Sequence, residues 1–212
     1  MRKLIHDINN GCDEAPSSAG GGGINNSVRR VVRAVVVINP GNPTGNVFDE
    51  IDLGGLVEVC EEHSLVLLAD EVYQENVYTP LKKFVSVREV ALRRQSAVEV
   101  YSFHSMSKGY YGECGIRGGY MQLTNVDPEI NSVICKLSSM TLCSNTMGQA
   151  LLASIVTPPV EGDASYPLFQ TEKESILGAL QEKADMVYHE LNKIPGVQVG
   201  RLACLTVHVS LL

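Results

Sequence analysis

Residues 31–45 have the sequence VVRAVVVINPGNPTG, a β-branched run followed by a cluster of Pro, Gly and Asn. Valine and isoleucine favour strands, and a Pro/Gly/Asn cluster marks the place where a strand ends. We therefore predict a buried strand over residues 31–38. Two more short apolar segments of strand character follow, LVLLAD at 65–70 and AVEVYSFH at 97–104.

Segments with helical spacing separate these strands, at residues 49–63 and 85–94. Alternating strands and helices favour a mainly parallel sheet with crossover helices, so we predict an α/β fold. GGYMQL at 118–123 is a further strand candidate, and residues 127–156 and 167–193 are predicted to be helical. Near the end of the chain, VQV and LTVHVSLL are short strand candidates.

Composition suggests three regions. Residues 9–27 are rich in Asn, Gly and Ser, which bury too little apolar surface to offset the entropy of ordering. We predict a flexible lead over residues 1–30, a main α/β domain over 31–158 and an incomplete, smaller α+β domain over 159–212. The Thr157-Pro158-Pro159 segment marks the second boundary.

The composition also excludes several classes of protein. The 212 residues are 44% hydrophobic and carry a formal net charge of −7, so a basic surface for nucleic acid is not expected. No apolar run approaches the roughly 20 residues that span a bilayer, so we expect no membrane anchor. Six cysteines without metal-ligand spacing favour reduced thiols, no metal site and a cytoplasmic location.

The polar motifs follow the predicted strands. NPGNPTG follows the first strand, DEVY the second, and SMSKGYYGECGIRGG the third. Ligands of open parallel sheets bind beyond the carboxyl ends of the strands, so these three loops should meet at one site. The candidate site residues are Asn42, Asp70, Tyr73, Ser105, Ser107, Lys108 and Arg117.

Taken singly, several of these residues have ordinary structural explanations. Asn42 is a good turn former, and Asp70 is equally suited to cap the next helix. Lys108 could equally be a solvated surface lysine, the commonest situation for this residue type, and Arg117 could be an ordinary partner in a surface ion pair. Chance alone is a poor explanation for the motifs together, because their order, spacing and strand-end positions agree.

The motifs resemble those of the fold-type-I pyridoxal-phosphate (PLP) enzymes, specifically the alanine aminotransferase branch. The family's Asn-Pro-Thr-Gly turn matches residues 42–45, and its Ser-x-Ser-Lys segment matches residues 105–108. The strand-end acid and the tyrosine three positions later match Asp70 and Tyr73, and the phosphate arginine matches Arg117. The longer spacing in KGYYGECGIRGGY and the extended INPGNPTG resemble this branch in particular.

The resemblance implies roles at the cofactor ring. Lys108 would bind PLP covalently as a Schiff base and later move a proton at the substrate α-carbon. Asp70 would keep the ring nitrogen protonated, so that the ring can accept electrons. Tyr73 and Asn42 would hydrogen-bond the phenolic oxygen of the ring.

At the phosphate, the resemblance implies binding by Ser105, Ser107 and Arg117, with the guanidinium giving a permanent, bidentate grip. The implied reaction moves an amino group between L-alanine and 2-oxoglutarate, giving pyruvate and L-glutamate, in a homodimer. The small-molecule partners would be amino acids and 2-oxo acids. The family's substrate-carboxylate arginine has no convincing match, since Arg201 is a poor replacement.

Three alternatives remain open. The same cofactor motifs occur in glutamate–glyoxylate aminotransferases. An inactive, truncated aminotransferase-like chain would also contain them. Ser105 to Lys108 also fits the SxxK pattern of penicillin-binding acyltransferases, but the S-D-N and K-T-G elements of that family are absent.

Overall fold

The predicted α/β fold is confirmed by the computed structural model, which describes residues 1–9, 31–78, 82–200 and 209–211. The main sheet has four strands in sequence order, β1 (Ala34–Ile38), β2 (Val66–Asp70), β3 (Val100–Ser105) and β4 (Gly119–Thr124). The first three strands are parallel, and β4 is antiparallel to β3. The sheet is therefore mainly parallel, with one antiparallel edge strand.

Two crossover helices cover one face of this sheet, α2 (Glu50–Glu62) and α3 (Val87–Arg93). Their apolar sides share one core with Val37, Leu67 and Val100 of the strands. These side chains alternate with residues of the opposite sheet face, because successive residues of a strand point to opposite sides. Both helices begin where the sequence provides an N-cap, at Asp49 and Ser86.

The registers align the carboxyl ends of the parallel strands. Ile38 lies beside Asp70, and Asp70 lies beside Phe103. Ser105 ends β3 two residues further on, so its side chain projects to the same face as that of Asp70. The loops that follow the three strands consequently leave the sheet at one edge.

The segment predicted to be helical over 127–156 forms two helices, α4 (Pro128–Ser139) and α5 (Thr146–Val156). Leu142, in the break between them, has a left-handed backbone with φ 64°. The long helix predicted over 167–193 is α6 (Tyr166–Leu191). Beyond it, β5 (Val197–Val199) pairs with β6 (Val209–Leu211) in a separate antiparallel sheet.

Part of the expected lead is ordered as helix α1 (Arg2–Asn9), for which the sequence reasoning had no signal. Ile5 of this helix is 3% exposed in the main core, and Arg2 forms an ion pair with Glu62 of α2. The rest of the predicted lead, residues 10–30, lies outside the described residues. The division of the chain at residues 30 and 158 stays a prediction. Of the helices in the described ranges, none has the length and apolar character needed to cross a membrane.

Candidate active site

Three loops at the carboxyl edge of the sheet build the candidate site. The first, residues 39–49, follows β1; the second, residues 71–78, follows β2; the third, residues 106–118, follows β3. Asp70 is the last residue of β2 and is half-buried. Its Oδ1 accepts a hydrogen bond from the backbone N–H of Val72 at 3.3 Å, which fixes the carboxylate at the start of the second loop.

The three predicted phosphate ligands are linked in series by two hydrogen bonds. Nη1 of Arg117 donates to Oγ of Ser107 at 3.4 Å, and the backbone N–H of Ser107 donates to Oγ of Ser105 at 3.2 Å. The same Nη1 donates to the carbonyl of Cys114 at 3.0 Å, which restrains the exposed guanidinium. The Arg117 guanidinium and the Ser107 hydroxyl so arranged form a set of donors suited to an anion, whereas the Ser105 hydroxyl donates to the carbonyl of Gly118 at 3.4 Å.

The backbone around Arg117 rests on helix α5, a contact that the sequence reasoning missed. Nδ2 of Asn145, the N-cap of α5, donates to the carbonyl of Ile116. A Cβ placed on Gly148 would lie 3.0 Å from the carbonyl oxygen of Arg117, so the first turn of α5 packs directly on this backbone. The sequence signal for the start of this helix was Asn145, a residue type that favours N-caps, with the small residue Gly148 three positions later.

Lys108 is exposed in the turn that follows β3. The next residue, Gly109, has φ 67°, a backbone conformation that residues with a side chain rarely adopt. A Cβ on Gly109 would lie 2.9 Å from Oδ1 of Asn76 and 3.3 Å from the carbonyl oxygen of Val72. The loop that carries Lys108 is therefore packed against the loop that begins at Asp70.

The first loop meets the second through Val47 and Tyr73, which form a small apolar cluster and are 2% and 7% exposed. The turn of the first loop is closed by backbone hydrogen bonds between Gly41 and both Gly45 and Asn46. Asn42 is exposed at this turn. The loops converge as predicted, but the ring-oxygen roles of Tyr73 and Asn42 stay predictions.

A second acidic residue of the DEVY motif has an unexpected structural role. Glu71 is 5% exposed, and its carboxylate accepts from the backbone N–H of Val87 at 2.7 Å and from Oγ of Ser86 at 3.0 Å. Burial raises the pKa of this carboxyl. The cap on helix α3 that we considered for Asp70 is thus supplied by Glu71, which leaves the Asp70 carboxylate at the loop.

Beside the site lies a cavity of about 390 Å³ between α3, β3 and β4, lined mainly by residues with polar groups. Its lining includes Glu71, Arg88, Ser102, His104 and Tyr120. Within the described ranges, both ring nitrogens of His104 are buried without a hydrogen-bonding partner. Burial lowers the pKa of His104, while the backbone of Glu71 and nearby carboxylates oppose that shift. No motif of the sequence pointed to this cavity.

Known proteins are similar to the chain in sequence and in fold. The chain is 49% identical over 173 residues to "Alanine aminotransferase 1, mitochondrial" of Arabidopsis thaliana, a match that covers 80% of this chain and 32% of that protein. It is 41% identical over 170 residues to "Glutamate--glyoxylate aminotransferase 1" of the same plant, covering 78% of this chain and 35% of that protein.

Among solved structures, an alanine aminotransferase from Pyrococcus furiosus superimposes with a TM-score of 0.72 at 25% identity, covering 84% of this chain and 42% of that one. The chain spans about a third of the length of the curated relatives it matches. The sequence profile of the family described as "Aminotransferase class I and II" matches residues 22–207. The chain therefore belongs to the class I and II aminotransferases.

Proposed function

We propose that this chain carries the lysine-bearing part of a PLP-dependent aminotransferase that moves an amino group between L-alanine and 2-oxoglutarate. The observation that supports this most directly is the position of Lys108. It follows Ser107, which contacts Arg117, and its loop packs against the loop that begins at Asp70. The chain spans about a third of the length of the Arabidopsis alanine aminotransferase that it matches. The activity is therefore proposed for the whole protein of which the chain is the lysine-bearing part.

The anion-binding end of the site fits the phosphate of PLP. The guanidinium of Arg117 and the hydroxyl of Ser107 already share a hydrogen bond and are open to a ligand. A phosphate placed there would receive charge-assisted hydrogen bonds from both groups, with Ser105 supporting the turn between them. Burying a phosphate without such partners would be very costly.

The other end of the site fits the pyridine ring. The half-buried carboxylate of Asp70 stands at the end of the neighbouring strand, where it would accept a hydrogen bond from the protonated ring nitrogen. When bound, PLP supplies an electron sink for the carbanion at the substrate α-carbon. Tyr73 and Asn42 are proposed to hydrogen-bond the phenolic oxygen of the ring.

The amine of Lys108 is proposed to attach the cofactor and then to act as a base. Nζ attacks a carbonyl carbon only when it is neutral. Once a substrate amine has replaced it, the freed Nζ would take the proton from the substrate α-carbon. Gly109 holds this segment of backbone against Asn76 and Val72, so the amine acts from a fixed turn.

Covalent attachment is tested by adding PLP, reducing with borohydride and locating the modified lysine by peptide mass spectrometry. We expect the pyridoxyl group on the peptide that contains Lys108, and its loss in Lys108→Ala. Lys136→Ala, which changes an exposed lysine of α4, is the matched control and should keep the modification. Modification spread over several lysines, with Lys108→Ala unchanged, would refute the assignment.

The substrate pair is tested separately. The identity to the alanine aminotransferase is higher than to the glutamate–glyoxylate enzyme of the same plant, which favours alanine and 2-oxoglutarate. Pyruvate formation from alanine and 2-oxoglutarate should therefore exceed glycine formation from glutamate and glyoxylate. The reverse ratio would favour the second pair, and no turnover despite a modified Lys108 would favour an inactive chain. The family assignment leaves the acyltransferase alternative for Ser105 without support.

Two further properties are proposed from the resemblance and the composition. A homodimer is proposed because the family that the motifs resemble is dimeric. Sedimentation equilibrium would test this assembly. A cytoplasmic location is proposed from the cysteine pattern, although the Arabidopsis relative above is named as mitochondrial. Imaging of a tagged copy in its native cell would decide between the two compartments.

A further inference from the structure

Helix α6 contacts both loops that carry the proposed chemistry. A cavity of about 280 Å³ lies where the start of α6 faces the loop after β2 and the loop after β3. Glu75 comes from the first of these loops, Tyr110 and Tyr111 from the second, and Phe169 and Lys173 from α6. No motif of the sequence pointed to this contact.

One ammonium group joins the two loops. Nζ of Lys173 donates to Oε2 of Glu75 at 2.8 Å and lies 5.5 Å from the ring centroid of Tyr110. The side chains of Lys173 and Glu75 are 28% and 34% exposed, which makes this pair less hydrated than the other ion pairs of the described residues. A partly dehydrated ion pair is screened less by salt than an exposed one.

The contacts are close to the proposed catalytic residues along the chain. Glu75 follows Tyr73 by two residues, and Tyr110 follows Lys108 by two residues. The two loops also touch directly, where Gly109 packs on Asn76. A shift of either loop would therefore change the separation between the Asp70 carboxylate and the Lys108 amine.

We propose that Lys173 is a positioning residue, which holds the loop that begins at Asp70 in register with the loop that carries Lys108. It does so by pairing with Glu75 and by lying over the ring of Tyr110. The inference rests on the proposed function, because it assumes that PLP is attached at Lys108. Because α6 has no buried residue, the half-buried contact of Lys173 with Glu75 and Tyr110 is the interaction that we expect to fix α6 against the loops.

The test compares Lys173→Met, Glu75→Gln and Lys173→Arg, with Lys183→Met as the control on an exposed position of the same helix. Two quantities are measured, the dissociation constant for PLP and the pH midpoint of the visible absorbance of PLP attached to the protein. Losing the ion pair and the cation–π contact should weaken PLP binding roughly 3- to 10-fold. Lys173→Arg and Lys183→Met should stay close to the wild type.

The direction of the pH shift separates positioning from simple electrostatics. Lys173→Met removes a positive charge and Glu75→Gln a negative one, so a through-space effect would move the two midpoints in opposite directions. Positioning predicts that both midpoints move in the same direction, because either change breaks the same link. The double variant should then resemble each single variant instead of showing the sum of their effects.

Two results would overturn the inference. Opposite shifts would show an electrostatic effect, and wild-type midpoints with wild-type PLP affinity would show that the contact does not position the loops. Urea denaturation of each variant shows that it is folded before it is compared. If the wild type itself attaches no PLP at Lys108, the proposed function and this inference fail together; if it does and the variants match it, only the inference fails.

Discussion

The imidazole of His104, in the cavity beside the site, illustrates how the pKa of a single residue responds to its surroundings. It is 7% exposed and lies beside the ring of Tyr120, with ring centroids 5.4 Å apart. Burial lowers its pKa from the ordinary value of 6.5, and the backbone of Glu71 and the carboxylates of Glu75 and Asp70 oppose the shift. The folded protein therefore favours the neutral ring more strongly than the unfolded chain does.

This shift predicts a loss of stability in acid. As the pH falls through 6.5, His104 takes up a proton in the unfolded chain before it does so in the folded one, so the free energy of unfolding decreases until the lowered folded pKa is passed. Replacing His104 by Phe should remove this contribution. Between about pH 7.5 and pH 5.5, the variant should lose less stability than the wild type in urea denaturation.

His189→Phe is the matched control, because His189 is exposed on α6. It should follow the wild type over the same pH interval. Equal losses in all three proteins would show that the burial of His104 is not linked to folding.

The residues of the site differ in how far the sequence could predict them. Ser107 and Arg117 were found because they belong to one motif, and they are in contact. His104 and Lys173 belong to no motif, since their roles come from burial and from a contact between distant parts of the chain. Glu71 lay inside a motif, but only the fold shows which of the two neighbouring acids faces α3.

Among the elements, helix α3 is fixed at its start by two acceptors. Oγ of Ser86 accepts from the backbone N–H of Arg88 at 3.2 Å, and the Glu71 carboxylate accepts from Val87. The helix then buries Val90 and Ala91 completely against the sheet. Its start is therefore tied to the end of β2, directly after Asp70.

Removing the cap should loosen this link. Ser86→Ala deletes both the acceptor for Arg88 and the hydroxyl donor to Glu71, which should lower the free energy of unfolding by about 1 to 2 kcal/mol. Ser154→Ala, which removes an exposed hydroxyl of α5, should change it by less than about 0.5 kcal/mol. Urea midpoints of the two variants test the difference, and similar midpoints would contradict a capping role for Ser86.

The direction of β4 and the break between α4 and α5 show two limits of prediction for whole elements. Residues 106–118 contain only a short 3₁₀ turn, Cys114–Ile116, and a parallel strand needs a crossover connection, so β4 has to return antiparallel. The break at residues 140–145 contains neither Gly nor Pro. The start of α5 after it is fixed by the N-cap Asn145, and Asn145 and Gly148 also hold this first turn on the backbone of Ile116 and Arg117.

At the scale of the whole molecule, the two faces of the sheet differ. Helices α2 and α3 bury one face, whereas Val36, Ile38 and Met121 on the other face are 64%, 36% and 40% exposed. The register places Ile38 and Met121 in one row across the sheet, with Asp70 and Phe103 between them. The apolar side chains thus form a patch next to the proposed site, and patches of this kind commonly mark binding surfaces.

This patch should bind an apolar dye such as ANS. Replacing Val36 and Met121 together by Thr keeps residues that suit strands but removes apolar area from the patch, so the fluorescence of bound dye should fall. Ile51→Thr is the control, because Ile51 is 84% exposed on α2, on the side of the sheet away from the patch. Fluorescence that drops equally in the control and in the double variant would show that the dye reports scattered apolar side chains instead of a continuous face.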